Sequence, residues 1–253
     1  MTALGAGLAL LVGFVLGLLG GGGSVLAVPI LVYALHVPVK PAIATSLIVV
    51  GLVALIGFLS HARQGTVATK VALVFGPFAV VAAYAGARIA EHIAGETQLI
   101  IFAVVGLAGS AMMFRGTSSN APAMDPAAYQ FVPHRKTVVL LALQGIAVGL
   151  LTGIIGVGGG FLIVPALVLI AKLPMRLAVG TSLLIITMNS LSGFAGYAGL
   201  VAIDWYLVAW FSAFAAAGSV VGTLASKRVP QRRLRQVFGF LLIGVSLYVL
   251  YRR

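Results

Sequence analysis

Gly17-Leu-Leu-Gly-Gly-Gly-Gly-Ser-Val-Leu-Ala-Val-Pro29 occurs a second time, slightly altered, as Gly153-Ile-Ile-Gly-Val-Gly-Gly-Gly-Phe-Leu-Ile-Val-Pro165. The offset between the copies is 136 residues, and it holds without a gap well beyond the motif. Pro38 maps to Pro174, Thr45-Ser46-Leu47 to Thr181-Ser182-Leu183, Gly57-Phe58 to Gly193-Phe194, Gly86 to Gly222 and Phe102 to Phe238. Positions 13–58 and 149–194 share 18 identities in 46, more than a chain rich in Ala, Gly, Leu and Val gives by coincidence. The chain is therefore read as one unit written twice.

Composition identifies the solvent of that unit. With 61% hydrophobic and 8% charged residues, the chain is read as a polytopic, all-α integral membrane protein whose partner is the lipid bilayer. No charge precedes Lys40, so the basic start of a signal peptide is missing and the first helix is expected to be retained. Cysteine is absent, which removes disulfides, thiolate metal sites and cysteine nucleophiles together. The net charge of +12 does not imply a nucleic-acid partner, because the bases sit in short loops between apolar runs. Positive-inside orientation and an anionic cytoplasmic leaflet account for them.

Apolar runs long enough to span occupy 3–35, 41–60, 68–87, 97–114, 137–171, 177–199, 205–226 and 236–251, eight hydropathy segments in all. Residues 1–114 are read as transmembrane repeat 1, 115–136 as a polar linker and 137–253 as transmembrane repeat 2. The first segment of each repeat is too long. As one helix, residues 3–35 would measure about 50 Å against an apolar core of ~30 Å. Each such segment also carries a glycine cluster and then a proline, which disfavour continuous helix. Each is expected to be two half-length helices joined at the glycines.

Charge chooses between a crossing pair and a re-entrant one. If the pairs cross, the loops divide Lys and Arg 9 to 7 between the two sides. If they are re-entrant, each repeat keeps three crossings, the second repeat is inverted, and the division becomes twelve to four. The rich side then holds Arg63, Lys70, Arg115, Arg135, Lys136, Lys172, Arg176, Lys227, Arg228, Arg232, Arg233 and Arg235. The poor side holds Lys40, Arg88, Arg252 and Arg253. The inverted arrangement, with both termini extracytoplasmic, fits the positive-inside rule.

The glycine runs are not a nucleotide loop, since no strand precedes them and no Gly-Lys-Ser/Thr follows. The outer glycines Gly13/Gly17 and Gly145/Gly149/Gly153 have the spacing of close helix packing. The run Gly20, Gly21, Gly22, Gly23 followed by Ser24, with its copy Gly156, Gly158, Gly159 and Gly160, has glycines closer together than packing needs. Consecutive glycines let the backbone unwind, and a half-helix starting after them points its positive N-terminus at the break. An anion site there and tight packing alone are the two readings. Thr45-Ser46 and Thr181-Ser182 place hydroxyls at the same point of both copies, one pair after Lys40 and one after Arg176. Bonding to the preceding turn is the alternative role for such hydroxyls. Asn189, Ser190 and Ser192 correspond to Val53, Ala54 and Ile56, a polar excess confined to one repeat that serves either an asymmetric site or helix–helix bonding.

No carboxylate lies deep in an apolar run, where a proton or cation relay would sit. His36, His61, His92 and His134 are loop residues without metal-ligand spacing, and no nucleophile–base–carboxylate set exists. No cofactor, metal site or catalytic residue is therefore expected. The interior offers glycine amides and hydroxyls, donors that suit a small anion.

The Gly-x-x-Gly-x-Gly-Gly-Gly…Pro pattern, with the Pro…Gly-Thr-Ser-Leu run that ends at Leu183, resembles the TauE/SafE family of sulfite and organosulfonate exporters over essentially the whole chain. The resemblance implies a multi-pass protein of the bacterial inner (plasma) membrane. It implies transport of sulfite, sulfoacetate or related sulfur anions, with Gly20–Ser24, Thr45-Ser46, Gly156–Gly160 and Thr181-Ser182 lining the pathway. Val157 and Gly160 depart from the first copy, so the half-sites are not equivalent. The expectation is a secondary transporter, working as an exporter, for a small sulfur-containing anion held between two repeats. An anion channel using the same glycines is the nearest rival, and a membrane-embedded enzyme or scaffold is a weaker one.

Overall fold

A computed structural model describes residues 3–115, 135–156, 160–169, 171, 173–226 and 231–252. Among them the elements are helices: α1 Ala3–Leu19, α2 Ser24–Pro29, α3 Val39–Arg63, α4 Thr69–Ala90, α5 Gly95–Arg115, α6 Arg135–Ile155, α7 Gly160–Leu169, α8 Met175–Tyr197, α9 Trp205–Ser226 and α10 Gln231–Tyr251. Five of these, α3, α4, α6, α8 and α9, are long and apolar enough to cross a bilayer. Large apolar side chains such as Leu73, Val81, Val104 and Phe240 face outward, as a lipid solvent allows. Of the expected linker 115–136, Arg115 ends α5 and Arg135-Lys136 begin α6; residues 116–134 lie outside the described ones.

The 136-residue offset runs through the element boundaries. Adding it to the starts of α3, α4 and α5 gives Met175, Trp205 and Gln231, the starts of α8, α9 and α10. The physical reasons repeat as well. Pro38 and Pro174, both extended, precede α3 and α8 and end whatever helix came before them. Asp204 caps α9, its Oδ1 accepting from Leu207 N at 3.0 Å, where the helix dipole favours a carboxylate.

Equivalent helices meet in opposite directions. Gly51 of α3 lies against Ser190 of α8, Gly57 against Leu183 and Gly193 against Leu47, so α3 and α8 are antiparallel. In the same way Gly106 lies against Ser246 and Gly239 against Phe114, so α5 and α10 are antiparallel. The largest contacts instead pair unlike helices in parallel. Gly13 and Gly17 of α1 abut the backbones of Ala215 and Ser219 of α9, while Gly149 and Gly153 of α6 abut Ala79 and Ala83 of α4. A Cβ at any of these four would overlap a backbone carbonyl, so hydrogen alone fits and the backbones touch. The packing reading of these outer glycines holds.

The long first segment is broken at the glycines, but not into equal halves. α1 has 17 residues; α2 has six, followed by a wider π-type turn over Ile30–Ala34 beyond Pro29. Pro29 has no N–H to bond back to Val25 O, and beyond it Leu35 N reaches back five residues to Ile30 O. Between α1 and α2 the chain doubles back through the 3-10 turn Gly20–Gly23, which brings Gly23 against the backbone of Leu16.

Candidate functional site

The sharp corner of each repeat is a glycine in the left-handed region, Gly20 at φ +68° and Gly156 at φ +75°. These positions correspond under the offset, and a side chain would be strained at both. Gly20 sits against Val179 and Gly156 against Ile43, again corresponding residues of α8 and α3. Thus each break rests on the central helix of the other repeat.

The two breaks also touch each other. Gly21 and Gly160 are in backbone contact, and a Cβ on Gly160 would lie 2.6 Å from Ile186 Cδ1. Tight packing therefore accounts for glycine at these two positions in the conformation seen here. Gly22 belongs to the 3-10 turn, while Gly158 and Gly159 lie outside the described residues.

Several hydroxyls from the sequence reading are engaged locally. Ser24 Oγ donates to Gly21 O at 2.7 Å and Ser182 Oγ to Val179 O at 2.8 Å. Ser46 Oγ has Ile43 O at 2.9 Å and Gly156 O both within reach of its single proton, which ties α3 to the corner of the opposite repeat. Thr181 Oγ1 accepts from Ala68 N at 2.9 Å, clamping the loop before α4 onto α8. Thr45 is fully buried in α3. Asn189 is different: it is fully buried in mid-α8, and neither Oδ1 nor Nδ2 has a hydrogen-bond partner among the described residues.

One polar cluster was not singled out from the sequence. Gln98 Nε2 donates to Ile154 O at 3.0 Å and lies 3.2 Å from the Tyr197 hydroxyl, all three groups being buried. Ile154 is in the last turn of α6, whose carbonyls have no partner within the helix. Gln98 thus closes the helix end that leads into the Gly156 corner. A lone amide beside Glu96 was the available signal, but an apolar run hides its partner 56 residues away. Gln98→Leu, which copies Leu234 of the other repeat, is expected to cost about 1–3 kcal/mol, since a buried carbonyl loses its best donor. The check is a thermal melt in detergent; a midpoint equal to wild type would show that the bond adds nothing.

The described residues also form a half-open pocket of about 80 Å³ between α3 and α9, lined by Ile56, Gly57, Ser60, Ser219, Val220, Thr223 and Leu224. It opens beside exposed Val220 and Leu224 on the outer flank, so it is not the space around the breaks.

Comparison with known proteins agrees with this architecture. The family model "Sulfite exporter TauE/SafE" matches residues 5–249. A "Probable membrane transporter protein" of Xylella fastidiosa (strain Temecula1 / ATCC 700964) is 35% identical over 250 residues, covering 96% of this chain and 92% of the relative. The "Probable membrane transporter protein YdhB" of Bacillus subtilis (strain 168) is 27% identical over 228 residues, covering 87% and 89%. No solved structure matches. A match from end to end, on a bundle of apolar helices with a duplicated glycine corner, leaves one assignment: this multi-pass membrane protein is a transporter and belongs to the sulfite exporter TauE/SafE family.

Proposed function

We propose that the chain is a secondary transporter exporting a small sulfur-containing anion, sulfite or an organosulfonate, bound where the two glycine breaks meet. The observation that carries the reading is the contact between the breaks themselves. Unwound backbone in a membrane is tolerated where it is buried in protein or lines a path, and here both breaks converge on one point between α3 and α8. The 10-residue α7 starts at that point with its positive end. Thr45, Ser46, Thr181 and Ser182 lie along the same two central helices, and Gly20–Ser24, Gly156 and Gly160 stand at the corners. The family description supplies the sulfite class.

We read the halves as inverted repeats, each a re-entrant pair plus three crossing helices. The opposed courses of α3 and α8, and of α5 and α10, support this. So does the parallel course of α1 and α9, because α2 must then return to the side where α1 entered. Those directions put the basic helix ends Arg63, Arg115, Lys136 and Arg176 on one face, read as cytoplasmic. Direct contact of Gly21 with Gly160 favours a carrier over a channel, because the breaks must part for substrate to pass. The test is flux into proteoliposomes with sulfite, sulfate, sulfoacetate and taurine side by side. Saturable flux with counter-anion exchange is expected; currents linear in voltage would assign a pore, and no movement of any of the four would end the anion reading.

A further inference from the structure

Among the hydroxyls on α3, α6 and α8, Thr181 and Ser192 bond to other segments, Ser192 Oγ donating to Val80 O at 2.7 Å. Ser46, Thr152, Ser182 and Thr187 donate to carbonyls three or four residues back, as hydroxyls in apolar helices usually do. Ser190 does not: its Oγ is buried and has no partner among the described residues. Asn189 beside it leaves both ends of its amide unpartnered at 0% exposure. Lone serine hydroxyls at Ser212, Ser219 and Ser246 are also unpartnered among the described residues, but buried polar atoms are nearly always satisfied, and an amide with both ends unmet marks a place where something else supplies the partners.

Their position is informative. Asn189 lies one turn along α8 from Ile186, whose Cδ1 stands against Gly160 at the meeting of the breaks. Ser190 faces Gly51, where a Cβ would come within 3.2 Å of the serine Cβ, so α3 brings no polar group to it there. The corresponding residues of the first repeat are Val53 and Ala54, so the orphans belong to one side only.

The carboxamide sets the chemistry. Whichever way it is turned, Nδ2 needs an acceptor and Oδ1 needs a donor. A bare oxyanion satisfies the first and repels the second. We propose that Asn189, with Ser190, is the specificity element of the anion site and selects a small oxyanion that carries a hydrogen-bond donor of its own. The donor is either a hydroxyl or ammonium on an organosulfonate, or the proton of a singly protonated inorganic oxyanion. This inference rests on the anion-transport reading above.

The experiment uses two matched pairs of monoanions in proteoliposome uptake. Hydroxymethanesulfonate against ethanesulfonate equates size and charge and differs in the donor; hydrogen sulfite against chlorate, at mildly acidic pH, does the same for inorganic ions. Wild type is expected to prefer the donor-bearing member of at least one pair by about tenfold or more, since a site built around a hydroxyl rejects the analogue that lacks it. The pair that shows the preference identifies the source of the donor. Asn189→Val, which installs the residue of the first repeat, is expected to bring the ratio near one, and Ser190→Ala to reduce the ratio in part. A wild-type ratio near one in both pairs overturns the donor requirement, and needs no variant to fold. A ratio preserved in Asn189→Val or in Ser190→Ala overturns the assignment of that residue. If wild type moves and binds none of the four ions, the anion reading itself falls, an outcome distinct from both.

Discussion

Gly160→Val is expected to abolish flux and to remove cooperative melting. Its Cβ would overlap Gly21 Cα, and the rest of the side chain would meet Ile186. Overpacking a core costs about 1–3 kcal/mol when side chains can yield, and more when the obstacle is backbone. Against a total stability of roughly 5–15 kcal/mol, a clash between two main chains is among the largest losses one substitution can cause. Gly21→Val makes the same collision from the other side and should behave alike. The control is Gly7→Val, because a Cβ there meets nothing within 4 Å. Flux per inserted molecule, with a thermal melt in detergent, measures both effects. Wild-type flux in Gly160→Val would remove the breaks from the transport path.

The second large effect is all-or-none. A reporter fused after Arg253 should read as extracytoplasmic, and one placed within 116–134 as cytoplasmic. The helix directions that bring α3 antiparallel to α8 put the end of α10 on the side of Lys40, whose Nζ donates to Glu91 O at 2.7 Å. Exposed Trp205, Tyr206, Tyr248 and Tyr251 cluster at that end, amphipathic rings of the kind that mark a bilayer boundary. A cytoplasmic signal after Arg253 would reject the proposed orientation. Signals on the same side at both sites would reject the helix count of the second half.

Backbone features were legible in the sequence because they repeat. The all-α membrane class and a bend at Gly20 and Gly156 followed from the glycines, the prolines and the apolar lengths. Gly13, Gly17, Gly149 and Gly153 were readable as packing positions because their spacing is a property of one helix face. The short α2 was not foreseen: beyond Pro29 the bonding widens over Ile30–Ala34, and hydropathy does not register that. Partners across the fold were equally hidden. Thr181 looked like a donor near Arg176, yet its oxygen receives Ala68 N from 113 residues away. Gln98 likewise has a meaning only beside Ile154 and Tyr197. Asn189 was visible as a polar excess over Val53, but its unmet amide is a fact of burial that periodicity cannot convey.

The parallel seating of α1 on α9 and of α6 on α4 has a consequence for synthesis. During translation α1 is made long before the helix that receives its glycine face exists, so its bare backbone stripe must wait in lipid or under a chaperone until the final third of the chain arrives. Neither half carries a complete set of neighbours. Severed at the connecting segment, the two pieces are expected to mature only when both are produced in the same cell.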